Sequence, residues 1–149
     1  SERISDRDIV VINFATAAIT ATVAAVSLAR AMTVEDVRTV ALTLLFSVTY
    51  LWVAVNRLTG ADGRGLGWFS LFVSLSVLPQ AFLSLASAAS FIDSWLGLCW
   101  LAWSGLWFMY FVTLTLQKPI QDHVAVATLL SGVLTAWLPA LFLMYGVPT

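Results

Sequence analysis

Residues 95 to 107 read Trp95-Leu96-Gly97-Leu98-Cys99-Trp100-Leu101-Ala102-Trp103-Ser104-Gly105-Leu106-Trp107, and they hold four of the chain's seven tryptophans. Successive residues of an α-helix are about 100° apart, so Trp100, Trp103 and Trp107 would fall within an arc of roughly 60°. Leu96 extends this stripe on one side, and Tyr110 extends it on the other. The stretch therefore predicts an apolar helix with a column of indoles on one face.

The composition around this stretch is that of an integral membrane protein. The 149 residues are 60% hydrophobic and 10% charged, with a mean hydropathy of +0.94, whereas soluble domains carry about 25% charged residues. The net charge of −1 argues against nucleic acid as a partner. The single cysteine, Cys99, excludes an internal disulfide and is interpreted as a packing thiol.

Five apolar segments are long enough to cross a bilayer, which needs about 20 residues of helix. Polar or glycine-rich turns separate the segments, and Pro79 and Pro139 fall inside two of them. We predict a single all-α transmembrane domain over residues 1–149, with spans at about 9–29, 39–56, 67–88, 95–116 and 123–145.

The basic residues predict an orientation in the membrane. An odd number of spans places the termini on opposite sides. Arg3, Arg7, Arg57, Arg64 and Lys118 fall on the side of the amino terminus, and only Arg30 and Arg38 fall on the other side. Because cytoplasmic loops carry an excess of Lys and Arg, we expect Ser1 on the cytoplasmic side and Thr149 on the external side.

An internal repeat links the third and fifth spans. Residues Val73–Leu83 match Val133–Leu143 at a constant offset, with a shared Leu-Pro-x-x-Phe-Leu pattern. Repeated elements in membrane proteins often surround a transport path near the midplane. We therefore expect spans two and three, and spans four and five, to be repeated hairpins, with span one as half of another.

The spans lack the residues that catalysis or ion coupling would need. No charged residue lies inside any of them, although charges mark proton pumps and ion-coupled carriers. One histidine and one cysteine cannot make a zinc site, and His123 is interpreted as an interfacial residue. No serine has a histidine and an acid within plausible reach. The sequence predicts neither an enzyme nor a cofactor.

The aromatic stripe allows two interpretations, a functional lining or simple helix packing. Tryptophan is enriched at membrane interfaces, but Trp100 to Trp107 would climb about 10 Å through the middle of a helix. Phe46 and Tyr50 form a second stripe, four residues apart on the second span. Two charge-free aromatic stripes would strip an ion of its hydration at a prohibitive cost. A small planar neutral solute such as urea or a short amide could stack on the rings and exchange hydrogen bonds with Trp N–H and Tyr hydroxyl groups.

At these residues the chain resembles the UreI/AmiS family of urea channels and amide transporters. The resemblance runs in order through nearly the whole chain from about Ile12, and the Trp-Leu-Ala-Trp and Leu-Thr-Ala-Trp-x-Pro blocks are its most specific parts. The matching stretches are Asn13-Phe14, Leu44–Leu51 with Asn56, Trp68–Val73, Trp100–Trp107, Lys118-Pro119 and Leu134–Ala140.

The resemblance implies a ring-shaped homohexamer in the bacterial inner membrane, with a pore in each protomer. Such a pore passes small neutral solutes by facilitated diffusion and supplies a cytoplasmic urease or amidase. Carried over by position, the lining residues would be Phe46, Tyr50, Leu96, Trp100, Trp103, Trp107 and Ser131.

Three departures from the family pattern affect these expectations. The family has six helices, and the five here match its second to sixth, so we expect the first to be missing from this sequence. Ser131 stands where the best-known urea channel has a glutamate, which weakens a urea-specific assignment and leaves amides open. The turns Arg30–Arg38 and Ala89–Ser94 contain no histidine, so we expect no acid gating.

A second class of function stays open from the sequence alone. The aromatic face could bind a partner or lipid in a membrane scaffold or assembly subunit that transports nothing. Replacing Trp103 by alanine would separate the two classes, because a scaffold would lose its complex while a channel would keep its oligomer and change its permeability.

Overall fold

The structure is a computed structural model of the chain, and it describes residues 5–146. These residues contain helices and no strand. Arg3 and the two termini, Ser1 and Thr149, on which the predicted orientation partly depends, lie outside the described residues. The helices are α1 (Asp6–Arg30), α2 (Val34–Thr59), α3 (Arg64–Ala86), α4 (Phe91–Leu114), α5 (Gln121–Ser131), a π-helical segment (Gly132–Trp137) and α6 (Leu138–Tyr145).

The described helices confirm the predicted all-α class with five membrane-length elements. Four are α1 to α4, and the fifth is the continuous run of α5, the π segment and α6 from Gln121 to Tyr145. The helices begin two to five residues earlier than the predicted spans, because the apolar windows omit the polar first turns. At α2, for example, Thr33 accepts a hydrogen bond from the N–H of Asp36, and the Asp36 carboxylate accepts one from the N–H of Thr33. This capping box starts the helix at Val34.

The described chain divides into two compact units, one ending at Leu66 and one beginning at Gly67. The prediction of one domain over residues 1–149 stays a prediction. In the first unit, α1 packs on α2 with Ala17 and Ala24 buried. Small residues of this kind let helix backbones approach closely in lipid. The Ser47 hydroxyl donates to Thr20 Oγ1 at 2.7 Å and joins the two helices.

In the second unit, α3 and α4 are joined by a reciprocal pair of buried serines. The Ser74 hydroxyl donates to the Ser104 carbonyl at 2.9 Å, and the Ser104 hydroxyl donates to the Ser74 carbonyl at 2.9 Å. Seven residues before Ser104 on α4 the backbones are close, because a Cβ added at Gly97 would lie 2.7 Å from Leu85 Cδ2 and 3.1 Å from the Leu85 nitrogen. The close approach explains why position 97 has no side chain, and it fixes α4 against α3.

The π segment Gly132–Trp137 is the irregular element of the second unit. Its register is shown by the N–H of Leu138, which donates to the carbonyl of Val133, five residues earlier. In the same register the carbonyl of Leu134 would face the nitrogen of Pro139, which carries no hydrogen. Pro79, at the equivalent position of the internal repeat, lies within the continuous α-helix α3. The two copies of the repeat therefore differ in backbone register.

Candidate functional site

The predicted aromatic column lies on α4, in the second unit. Trp100 and Trp103 pack edge to face, with ring centroids 5.0 Å apart and an interplanar angle of 83°. Leu96, Trp100 and Trp103 are partly buried, and Trp107 is buried with 5% of its surface exposed. The edge-to-face contact couples the orientations of the first two indoles, since neither ring can turn without meeting the other.

The indole N–H of Trp103 is bonded within the protein. It donates to Thr135 Oγ1 at 2.6 Å, and the Thr135 hydroxyl in turn donates to the carbonyl of Ser131 at 2.6 Å. The sequence predicted that Trp N–H groups would exchange hydrogen bonds with a solute. In the described arrangement the N–H of Trp103 is already bonded to Thr135.

Trp95 satisfies the backbone carbonyl that the π segment leaves opposite Pro139. Its indole N–H donates to the Leu134 carbonyl at 3.0 Å. Its ring also contacts Phe142 on α6, with centroids 5.3 Å apart at 61°. A carbonyl without a partner is costly inside a bilayer, so this hydrogen bond from α4 gives the irregular backbone a partner.

A third contact from α4 reaches α5 one turn before the π segment. The Tyr110 hydroxyl lies 3.1 Å from Thr128 Oγ1, and the Thr128 hydroxyl donates to the Val124 carbonyl at 2.7 Å. Since the Thr128 hydrogen is used in that bond, the Tyr110 hydroxyl is the donor between the two side chains. Together with Trp95 and Trp103, Tyr110 ties α4 to the last helical run.

Thr128 and Thr135 are hydrogen-bond partners of α4 that the sequence reasoning missed. Trp103 and Tyr110 are seven residues apart on α4, and Thr135 and Thr128 are seven residues apart on the facing run. Seven residues are close to two turns of helix, so matched spacings of this kind place both pairs along one antiparallel interface. The equal seven-residue spacings were the feature of the sequence that pointed to these two contacts.

The other predicted site residues are placed within their own units. Ser131 is partly buried and ends α5, where its carbonyl accepts the Thr135 hydroxyl. Phe46 and Tyr50 are partly buried on α2, one helical turn apart. The part of the chain that the structure describes contains no group of three or more His, Cys, Asp or Glu residues that could hold a metal ion.

Gln80 adds a buried polar group to α3 next to Pro79. Its Nε2 donates to Ser84 Oγ at 3.0 Å, while its Oε1 is buried and has no hydrogen-bond partner among residues 5–146. A buried acceptor left unpaired costs about 1–3 kcal/mol. The sequence reasoning also missed this residue, because one amide inside a long apolar run is not by itself informative.

The family model described as AmiS/UreI family transporter matches residues 1–147. A Mycolicibacterium smegmatis protein described as an amidate substrates transporter is 44% identical over 106 residues, which cover 68% of this chain and 47% of that protein. The acid-activated urea channel of Helicobacter pylori is 36% identical over 116 residues, which cover 70% of this chain and 58% of that channel. The chain thus spans about half the length of the curated relatives it matches.

The fold is also similar to a solved structure. The crystal structure of the urea channel from Helicobacter pylori matches with a TM-score of 0.84 and 30% sequence identity, over 95% of this chain and 85% of that one. Sequence and structure comparisons therefore agree on one family of membrane transporters.

Proposed function

Because the chain belongs to the AmiS/UreI transporter family, we propose that it forms a passive channel for small neutral solutes, namely urea or short aliphatic amides. The family and the five membrane-length helices make the chain a multi-pass membrane protein. They point to transport and away from catalysis.

The observation that carries the proposal is the aromatic column of α4, since no residue from Leu96 to Tyr110 is charged. Trp100 and Trp103 are held edge to face, and the N–H of Trp103 is bonded to Thr135. Such a surface offers flat π faces to a planar solute but no charge or free carboxylate to replace the water around an ion. It therefore favours urea or an amide over sodium.

We propose that both aromatic stripes take part in lining the path. The lining residues are those named from the sequence: Phe46, Tyr50, Leu96, Trp100, Trp103, Trp107 and Ser131. Ser131 carries a neutral hydroxyl, so the lining proposed here contains no acidic or basic side chain. This composition is compatible with amides as well as urea.

The remaining parts of the proposal concern the setting of the channel. We propose a homohexamer in the lipid bilayer of the bacterial inner membrane, with the Ser1 side in the cytoplasm and the Thr149 side external. A cytoplasmic urease or amidase would consume the solute and so maintain its inward gradient. No cofactor or metal is part of the proposal.

Solute uptake by proteoliposomes tests the function. Purified protein would be reconstituted, and the initial uptake of urea, acetamide and sodium compared with that of protein-free vesicles. We expect faster uptake of urea, acetamide or both, no acceleration for sodium, and no accumulation above the external concentration. Equal rates with and without protein would reject the proposal. If Trp103→Ala then also broke up the oligomer, a scaffold would be the better explanation.

A further inference from the structure

The Thr135 hydroxyl both donates and accepts a hydrogen bond within the protein, so its orientation is fixed. It donates its single hydrogen to the Ser131 carbonyl at 2.6 Å, and its lone pair accepts the N–H of Trp103 at 2.6 Å. A threonine hydroxyl has one hydrogen and two lone pairs, so the first bond determines where the acceptor points. The acceptor then determines where the N–H of the indole must lie.

The backbone next to Thr135 is also held by a residue of α4. Thr135 lies in the π segment Gly132–Trp137, where the extra residue in the turn changes the direction of the side chains relative to a continuous α-helix. The neighbouring carbonyl, that of Leu134, is held by the N–H of Trp95. Two indoles of α4 therefore bind two consecutive residues of the π segment, one through the backbone and one through a side chain.

The orientation of Trp103 also affects Trp100. Their rings meet nearly perpendicular at 5.0 Å, so a rotated Trp103 would force Trp100 to move. The Thr135 hydroxyl therefore influences the orientation of both Trp103 and Trp100.

We infer that Thr135 is a positioning residue that sets the ring orientation of Trp103 and thereby the size discrimination of the channel. The inference rests on the proposed function, because it assigns the solute path to this aromatic face. Thr135 acts through Trp103 and not by touching the solute. Its role is to keep the indole face, instead of its edge, along the path.

A set of matched variants tests this inference. Thr135→Val keeps the shape but removes the hydroxyl, and Thr135→Ser keeps the hydroxyl. Thr128→Val is the control, since it removes a hydroxyl from the same helical run that bonds Tyr110 and not a tryptophan. Trp103→Phe removes the indole donor from the other side of the bond. The double variant Thr135→Val/Trp103→Phe completes a double-mutant cycle, which measures the coupling between the two residues.

Two readouts are measured in proteoliposomes. The first is the ratio of urea uptake to propionamide uptake, which cancels differences in the amount of folded protein. The second is the ultraviolet resonance Raman band that reports hydrogen bonding at the indole N–H, taken as the difference between variant and wild type.

We expect Thr135→Val to change the uptake ratio at least threefold and to shift the Raman band, while Thr135→Ser and Thr128→Val leave both within error. In the Trp103→Phe background, Thr135→Val should have no further effect on the ratio. Trp103→Phe supplies a test of the same bond even if Thr135→Val does not fold.

Three results would overturn the inference. The first is an unchanged ratio in Thr135→Val with normal urea uptake, which would leave the proposed function standing. The second is an effect of Thr135→Val that is equally large in the Trp103→Phe background, since Thr135 would then not act through that ring. The third is wild-type protein with no solute uptake, which would reject the proposed function as well, whatever the Raman band shows.

Discussion

The indole N–H of Trp95 donates to the backbone carbonyl of Leu134 at 3.0 Å, and this is the carbonyl that the π register places opposite Pro139. The hydrogen bond joins α4 to the point where the last helical run departs from α geometry. In an unbroken helix that carbonyl would find its partner within its own chain segment. Here the partner comes from a neighbouring helix, so the irregular backbone and the tryptophan depend on each other.

Because of this dependence, Trp95→Phe should destabilise the wild type more than it destabilises a Pro139→Ala variant. Trp95→Phe should lower the free energy of unfolding of the wild type by about 1 kcal/mol, in line with hydrogen bonds measured between membrane helices. In a Pro139→Ala background the restored N–H at position 139 can serve the carbonyl, so the cost should fall. Unfolding in mixed detergent micelles, followed by circular dichroism, measures both costs. Equal costs in the two backgrounds would mean that Pro139 does not create the need for Trp95.

The reciprocal serines of α3 and α4 predict a second loss of stability. Ser74→Ala removes the hydroxyl that donates to Ser104, and we expect it to lower the free energy of unfolding by about 0.6–1.7 kcal/mol. Ser76→Ala is the control, because the Ser76 hydroxyl bonds the Phe72 carbonyl of its own helix at 2.8 Å. It should change stability by less than Ser74→Ala. A larger loss in the control would show that the bond between the helices contributes little.

Two glycines of α4 should respond in opposite ways to a methyl group. Gly97→Ala places a Cβ against Leu85, including its backbone nitrogen at 3.1 Å, and overpacking of this kind costs about 1–3 kcal/mol. A Cβ at position 105 would meet no atom of residues 5–146 within 4 Å, and alanine is a better helix former than glycine. The thermal unfolding midpoint should therefore fall for Gly97→Ala and stay the same or rise for Gly105→Ala. Equal midpoints would contradict the close approach of α3 and α4.

The position of the single histidine predicts solute uptake that does not respond to mild acid. Histidine is the side chain whose ordinary titration falls between about pH 5 and 8, and His123 in the first turn of α5 is the one histidine of the 149 residues. We expect urea uptake at pH 5 and pH 7 to agree within about twofold, with His123→Asn as the control. A several-fold rise at pH 5 in the wild type would refute the prediction, whether or not the rise persists in His123→Asn.

The five membrane-length helices could be predicted from the sequence because apolar length alone determines them. Their first residues could not, since helix starts depend on caps such as Thr33, which lie in polar turns outside the apolar windows. The π segment was also missed. Pro79 and Pro139 stand in the same repeated pattern, yet only the second follows a π turn, and hydrophobic periodicity carries no sign of a change in hydrogen-bond register.

The sequence was enough to predict that the indoles share one helix face, but it was not enough to predict which groups accept their N–H hydrogens. Helical spacing is enough to align Trp100, Trp103 and Trp107. Which group accepts each indole N–H depends on the neighbouring helix, and the sequence reasoning assigned these N–H groups to a solute. The matched seven-residue spacings of the Trp103–Tyr110 and Thr128–Thr135 pairs would have predicted the Trp103–Thr135 bond, had the two helices been taken as an antiparallel pair.

The initial rate of urea uptake by proteoliposomes, compared between wild type, Trp100→Ala and Phe108→Ala, tests most directly whether the aromatic face of α4 lines a solute path. Phe108 lies on the same helix, 49% exposed, and it does not belong to the column. We expect wild-type uptake well above that of protein-free vesicles, a several-fold change in Trp100→Ala, and a rate within about twofold of wild type in Phe108→Ala. Unchanged uptake in Trp100→Ala, or wild-type uptake no faster than that of lipid alone, would contradict the proposal.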